Sequence, residues 1–101
     1  MTQPPARKIV IQSLSGLRPE LDALIEEWIV SGVKYVGVVG VDASMVGDAI
    51  GYYCISRTPP DFILTAVHGS DETLDDAVAL AGLIDEVDGA MLGSTIEIIE
   101  V

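Results

Sequence analysis

The sequence predicts one small α/β domain whose strands and helices alternate as β-α-β-α-β-α-β. Two observations predict this class. Short runs of β-branched residues are separated by segments in which apolar residues recur at helical spacing. These segments are long enough to cross a sheet, which favours a mainly parallel four-stranded sheet with right-handed connections and helices on both faces. A chain of 101 residues leaves room for one domain. We expect it to span residues 8–101, behind an N-terminal tail of residues 1–7.

The first half of the chain supplies two strands and two helices. Residues 8–14 form a β-branched run that stops at Ser15-Gly16, as a short strand does. A helix follows, with Pro19 in its first turn and Gly32 as its stop. Residues 34–40 are apolar almost throughout, which is typical of a strand covered on both faces. Asp42 is suited to cap a second helix over about residues 43–55.

The second half supplies a strand, a helix and a last strand. Prolines end the second helix, and residues 62–67 read as the third strand. Thr73 and Asp76 have the spacing of a capping box, and Asp88-Gly89 is expected to end the third helix. Residues 94–101 form the last strand, in which two glutamates indicate a sheet edge.

The order of the strands is less constrained by the sequence. We favour 2-1-3-4, which covers both faces of the sheet and opens a crevice between the first and third strands. The alternative is a singly wound 1-2-3-4 order, which would have no such crevice.

Charge is distributed unevenly along the chain. The formal net charge is −11, from 16 acids and five cations. All the cations lie within residues 1–57, whereas residues 58–101 hold ten acids and no lysine or arginine. Such a balance repels phosphate backbones and anionic membranes, so neither nucleic acid nor a membrane is an expected partner. The acids either keep the protein in solution, which is the commoner use, or meet a basic protein partner.

If the acids bind a basic protein partner, two segments are expected to form the interface. One is the acidic run before and within the third helix, and the other is the aromatic end of the second helix. Tyrosine is enriched at interfaces, so the aromatic segment also predicts a homodimer contact, against the alternative that both tyrosines are buried in the core. The predicted partner-binding residues are Asp71, Glu72, Asp75, Asp76, Tyr52 and Tyr53.

The numbers of cysteines and histidines indicate the compartment in which the protein is expected and the cofactors it can hold. A single cysteine, Cys54, forms no internal disulfide, which favours a reducing compartment. The first residues do not read as a signal peptide, and no apolar run is long enough to span a membrane. We therefore expect a cytoplasmic protein. One Cys and one His make a structural zinc site implausible, and we expect no cofactor.

The chain resembles a family of small bacterial α/β domains of unknown function. The matching features are Trp28 in the first helix, the segment Gly-Val-Lys-Tyr-Val-Gly-Val-Val-Gly-Val-Asp of residues 32–42, and Thr65 with His68 around the third strand. The resemblance covers most of the chain and implies the α/β fold. It implies no activity.

Polar side chains at the carboxyl ends of the predicted strands offer a second type of site. His68 is the only histidine, and it could act as a general base if Asp42 or Ser15 lay within hydrogen-bond reach, with Thr65 nearby. The competing interpretation is that His68 satisfies loop backbone groups and that Asp42 is a helix cap. Nucleophile-elbow, P-loop and dinucleotide motifs are absent from the sequence.

These observations favour a non-enzymatic cytoplasmic binding module with an acidic C-terminal half. One version is an inhibitor or immunity protein that blocks a basic, nuclease-like toxin. The alternative is a small-ligand or hydrolytic site around His68, with Asp42, Ser15 and Thr65, at the ends of the strands.

Overall fold

Helices and strands alternate along the chain up to the third helix, after which a β-hairpin completes the sheet. The computed structural model describes residues 6–16 and 18–101. Its elements are β1 (Ala6–Ser13), α1 (Leu21–Val30), β2 (Tyr35–Gly40), α2 (Ala43–Ser56), β3 (Leu64–Val67), α3 (Leu74–Leu83), β4 (Glu86–Val87) and β5 (Ala90–Glu100). The three predicted helices are present. β1 begins two residues before the predicted start, and residues 1–5 of the predicted tail lie outside the described residues.

The sheet has five strands in the order β3-β2-β1-β5-β4. β1, β2, β3 and β5 are parallel, and β4 is antiparallel to β5, so the sheet is mixed. The favoured order 2-1-3-4 is therefore wrong: β3 lies outside β2, and the last strand pairs with β1. The physical reason is burial: Tyr35, Val36 and Val38 of β2 are fully enclosed, which an edge position would not allow, whereas β3 is half-exposed and lies at the edge.

The hairpin was not predicted. α3 ends at Leu83, and Asp88-Gly89 forms the two-residue turn between β4 and β5 instead of ending the helix. Both residues have positive φ, 51° and 80°, as a type I′ turn requires. The hairpin lets the last strand begin at Ala90, four residues earlier than predicted.

The last strand was predicted to lie at a sheet edge, and one of its two sides is largely unpaired. β5 pairs with β1 through residues 92–100. On its other side, β4 reaches only Ala90 and Met91 among the described residues. From residue 94 onward this side of β5 faces no described strand.

The two faces of the sheet carry separate apolar layers. Side chains alternate along each strand, so Ile9, Ile11 and Val36 meet α1 and α2, whereas Val10 and Val39 meet α3. Trp28 of α1 is among the most deeply buried side chains of the first layer. Helices thus cover both faces, as the sequence predicts.

The direction of the crossovers determines where a crevice opens. The chain steps outward from β1 to β2 to β3, with α1 and α2 on one face. It then returns through α3, on the other face, to β5 on the opposite side of β1. The topological switch point therefore lies between β1 and β5, and not between the first and third strands.

Candidate functional site

His68 follows β3 and is buried, with 6% of its surface exposed. Its Nδ1 lies 2.7 Å from Oε2 of Glu72, and Oε1 of Glu72 accepts the Gly69 N–H at 3.0 Å. Because an ionised carboxylate only accepts hydrogen bonds, this contact places a proton on Nδ1. The hydrogen bonds from His68 and Gly69 hold the pKa of Glu72 below its usual value. Among the described residues, Nε2 of His68 has no partner.

Among the described residues, no hydrogen bond joins His68 to Asp42, Ser15 or Thr65, the other predicted site residues. Thr65 faces α2, since its Cγ2 lies 3.6 Å from the position of a Cβ added at Gly47, and its hydroxyl donates to Ile63 O at 3.3 Å. His68, an odd number of residues further on, falls on the α3 face. The hydrogen-bond partner of His68 is Glu72, which the sequence predicts as one of the acidic partner-binding residues. The His-x-x-x-Glu spacing beside a glycine was the available signal.

Asp42 and Ser15 lie at the ends of β2 and β1. Asp42 holds the N-cap position of α2 with φ 52° and makes no side-chain capping bond, so the predicted cap is not formed. Its carboxylate lies against Gly16: a Cβ added there would lie 2.6 Å from Oδ2. The Ser15 N–H donates to Val101 O at 3.1 Å. Both residues thus join neighbouring loops.

The predicted acidic partner-binding residues lie at the start of α3 and are exposed. Thr73 and Asp76 form the predicted capping box: Asp76 N–H donates to Thr73 Oγ1 at 3.3 Å, and Thr73 N–H donates to Asp76 Oδ2 at 2.8 Å. Asp75 occupies the first turn, where the positive end of the helix favours a carboxylate. These acids therefore also stabilise the start of the helix.

Apolar side chains separate this acidic group from a second one. On the outer face of α3, Leu80 and Leu83 follow Asp76 at helical spacing, and Leu83 is 77% exposed. Asp85 lies just beyond the helix, and the exposed acids Glu86 and Asp88 of the hairpin follow. We call the outer face the α3 surface: Asp71, Asp75, Asp76, Leu80, Leu83 and Asp85.

The cations of the described chain are all engaged, and all but Lys8 lie away from α3. Arg7 contacts Glu97 through two nitrogens, at 2.6 and 2.8 Å, and Glu27 at 3.2 Å. The bond to Glu97 raises the pKa of Arg7 and lowers that of Glu97. Lys8 is 2% exposed, and its ammonium donates to Ala81 O at 2.8 Å, near the negative end of α3.

The remaining cations form ion pairs with acids of α1 and of the segment before β3. The shortest contacts are Arg57 to Glu26 at 2.8 Å, Lys34 to Asp61 at 3.4 Å and Arg18 to Glu20 at 3.4 Å. None of the described cations pairs with an acid of the α3 surface. The acids of that surface therefore have no salt-bridge partner among the described residues.

The two predicted interface tyrosines have different environments. The Tyr53 hydroxyl donates to Glu26 Oε1 at 2.8 Å, and this bond lowers the pKa of Glu26 and raises that of Tyr53. Tyr53 therefore ties α2 to α1. Tyr52 is 72% exposed, beside the equally exposed Ile55. The homodimer predicted through this segment stays a prediction.

A cleft of about 660 Å³ lies at the switch point between β1 and β5. The loop after β1, the first turns of α1 and the end of β5 enclose it. Its apolar walls include Leu21, Leu24, Val46, Ile99 and Val101, and Arg18 borders it. We call it the switch-point cleft. Its position depends on the strand order, so no pattern in the sequence predicts it.

The geometry of the described residues also bears on metal ligation and membrane insertion. Within residues 6–16 and 18–101, no three His, Cys, Asp or Glu side chains converge as a metal site. None of the described helices has the length and apolar character needed to cross a bilayer.

The fold and these surfaces define the class: an open α/β domain with helices on both faces, an acidic helix surface on one face and a cleft at its switch point. Comparison of the chain with protein-family models, with curated proteins and with solved structures gave no match. The resemblance to small bacterial α/β domains stays a prediction.

Proposed function

We propose that this protein is a non-catalytic binding module whose α3 surface docks a basic protein partner. The observation that carries the proposal is the separation of charge in the folded chain. Each described cation is paired with an acid away from α3, or is buried as Lys8 is. The acids of the α3 surface have no cation partner among the described residues. They therefore create a negative potential outside the protein, which steers and orients a positively charged partner.

The arrangement of side chains on α3 supports docking more than solubility alone. Exposed Leu80 and Leu83 lie between acids at both ends of the helix. An apolar centre within a charged rim is the usual anatomy of a protein interface. A solubility device needs only dispersed charge and gains nothing from an exposed leucine such as Leu83. The expected partner therefore presents basic residues around an apolar contact.

A basic, nuclease-like enzyme has this surface chemistry around its substrate site, so an inhibitor or immunity role is the version we favour. The cytoplasm is part of the proposal. Cys54 is buried and burial raises the pKa of its thiol, which suits an unreactive packing residue in a reducing compartment.

The hydrolytic alternative around His68 has less support. His68 is bound to Glu72, while Asp42 and Ser15 belong to other loops and Thr65 faces the opposite side of the sheet. The unpartnered Nε2 is buried, and His68 does not line the switch-point cleft. A general base must reach its substrate, and in this structure Nε2 has no contact with solvent.

The test combines capture with matched charge reversals. We expect the purified protein to retain a basic protein from an extract of its native cell, with retention lost at high salt. The double variant Asp75→Lys/Asp85→Lys should lose that protein, and Leu83→Ser should weaken the measured affinity for it about tenfold.

The control is Asp22→Lys/Asp48→Lys, which reverses two exposed acids on α1 and α2, on the other face of the sheet. Asp22 lies in a first helical turn, as Asp75 does, so the cost to the helix is matched. Equal loss in the control, or equal retention by the α3 variant, would exclude docking at the α3 surface. If no basic protein is recovered, the docking proposal is wrong and the acids serve only to keep the protein in solution.

A further inference from the structure

The switch-point cleft is a feature that the proposed function does not use. Open α/β sheets bind ligands beyond the carboxyl ends of their strands, at the point where the connections reverse direction. The cleft lies there, between β1 and β5, and its volume of about 660 Å³ falls in the range that encloses small molecules. It borders α1 and therefore opens on the face of the sheet opposite α3.

The side chains that line the cleft determine the polarity of the ligand that it can enclose. Leu21, Leu24 and Val46 come from the helices, and Ile99 and Val101 come from the end of β5. Ile99 and Val101 pack against the α1 and α2 layer. Glu100, between them, also borders the cleft, and strand alternation directs its side chain toward the other face of the sheet. An occupant must therefore be mainly apolar.

The rim determines the polar group of the ligand. Arg18 is the one described cation that borders the cleft. It pairs with Glu20 through a single 3.4 Å contact, with the two side chains 51% and 67% exposed. Exposed pairs of this kind contribute little, so a second carboxylate can replace Glu20 at the guanidinium. A guanidinium holds a carboxylate through two parallel hydrogen bonds, which the present pair does not make.

We propose that the switch-point cleft binds an amphipathic carboxylate, with the apolar body against Leu21, Leu24 and Ile99 and the carboxylate on Arg18. Glu20 acts as an internal competitor, because its carboxylate occupies the same guanidinium when the cleft is empty. The site is independent of the α3 surface. The two proposals can therefore succeed or fail separately.

Octanoate is the probe, with octanol and octylammonium as matched ligands that share its apolar chain. Binding is measured by titration with amide ¹H–¹⁵N shifts, which also locate the site. We expect octanoate to bind more tightly than either analogue and to shift Gly16, Ala23 and Val101. Arg18→Gln should weaken octanoate about tenfold while leaving octanol unchanged, because only the charge-assisted bonds are lost.

Two further variants separate this proposal from a general apolar affinity. Glu20→Gln should strengthen octanoate binding, since the competing charge is removed, whereas Asp22→Asn on the same helix should leave it unchanged. Ala23→Trp should block octanoate and octanol together, with the fold checked by circular dichroism. Asp75→Lys/Asp85→Lys should bind octanoate like the parent protein.

Three results would overturn the inference. Equal affinity for octanoate and octylammonium would remove the role of Arg18. Indifference to both Arg18→Gln and Glu20→Gln would do the same. Shifts spread over exposed apolar residues such as Leu83 and Ile98 would indicate detergent-like association with the surface and not a site.

Discussion

His68 and Glu72 show how a short sequence distance sets a local environment. A buried imidazole, an exposed carboxylate and the Gly69 N–H form one hydrogen-bonded unit at the turn between β3 and α3. The unit positions the loop that leads into the capping box of α3. The charge of the Glu72 carboxylate therefore affects the free energy of unfolding, and the direction of its pKa shift determines whether that free energy rises or falls with pH.

Stability should depend on pH through Glu72. Its pKa is lowered in the folded state, chiefly by the bond to His68, so the carboxylate stabilises the fold above its ordinary value near 4.5. That stabilisation is lost as the pH falls through the lower, folded-state pKa. We expect Glu72→Gln to be less stable than the parent protein at pH 6, and the difference to shrink below about pH 4.5. Urea unfolding from pH 7 to pH 3 measures both free energies.

The control for this prediction is Asp75→Asn, a neutralisation of an exposed acid without a bond to His68. It reports the relief of general repulsion together with the loss of a carboxylate from the first turn of α3, neither of which involves His68. A difference between Glu72→Gln and the parent that persists unchanged to pH 3 would show that the shape of the side chain matters and its charge does not.

At the scale of elements, α2 packs on β3 through a glycine. The sequence places Gly47 and Gly51 four residues apart, on one side of the helix. The structure separates their roles. A Cβ at Gly47 would overlap Cγ2 of Val67, whereas a Cβ at Gly51 would meet nothing within 4 Å. Only Gly47 is needed for the close approach.

The two glycines give a matched pair of substitutions. We expect Gly47→Ala to lower the free energy of unfolding by about 1–3 kcal/mol, because α2 must move away from β3. We expect Gly51→Ala to raise it by about 0.5–1 kcal/mol, because alanine costs less backbone entropy in a helix. Chemical denaturation of both variants is the measurement. A stabilised Gly47→Ala would mean that Val67 moves aside freely at the exposed edge.

At the scale of the whole molecule, charge opposes folding. With 16 acids, five cations and the cations already paired or buried, the remaining acids repel one another in the compact state. We expect the urea midpoint to rise as NaCl increases from about 0.02 M to about 0.5 M, because salt screens this repulsion between exposed groups. The rise should be smaller for Asp75→Asn/Asp85→Asn. A falling midpoint would show that the Arg7, Arg57 and Lys34 ion pairs dominate.

Much of the fold is predictable because its signals are local. The apolar spacing of α1, the capping box at Thr73 and the continuous apolar run of β2 each depend on residues within a few positions of one another. The Asp88-Gly89 signal is also local, and the predicted role, the end of α3, is wrong because the pair forms the hairpin turn. A pair of residues that tolerates positive φ suits the end of a helix as well as a hairpin turn.

The candidate sites were harder to predict because they depend on neighbours that are distant in sequence. His68 and Thr65 are three residues apart, yet Thr65 faces α2, whereas the backbone of His68 continues the β3 pairing and strand alternation directs its side chain to the opposite face. Tyr52 and Tyr53 are adjacent, yet only Tyr53 meets Glu26. Neither difference follows from spacing alone, since it depends on which helix covers which face.

By itself, the sequence determined the α/β class, the three helices and the division of charge between the two parts of the chain. These properties follow from hydrophobic period, capping chemistry and composition, which are carried by residues close together. Only the tertiary structure decided the order β3-β2-β1-β5-β4, the position of the switch-point cleft and the pairing of each cation. Backbone hydrogen bonds are alike in every strand, so the choice of neighbours is made by how the layers pack, and the sites follow from that choice.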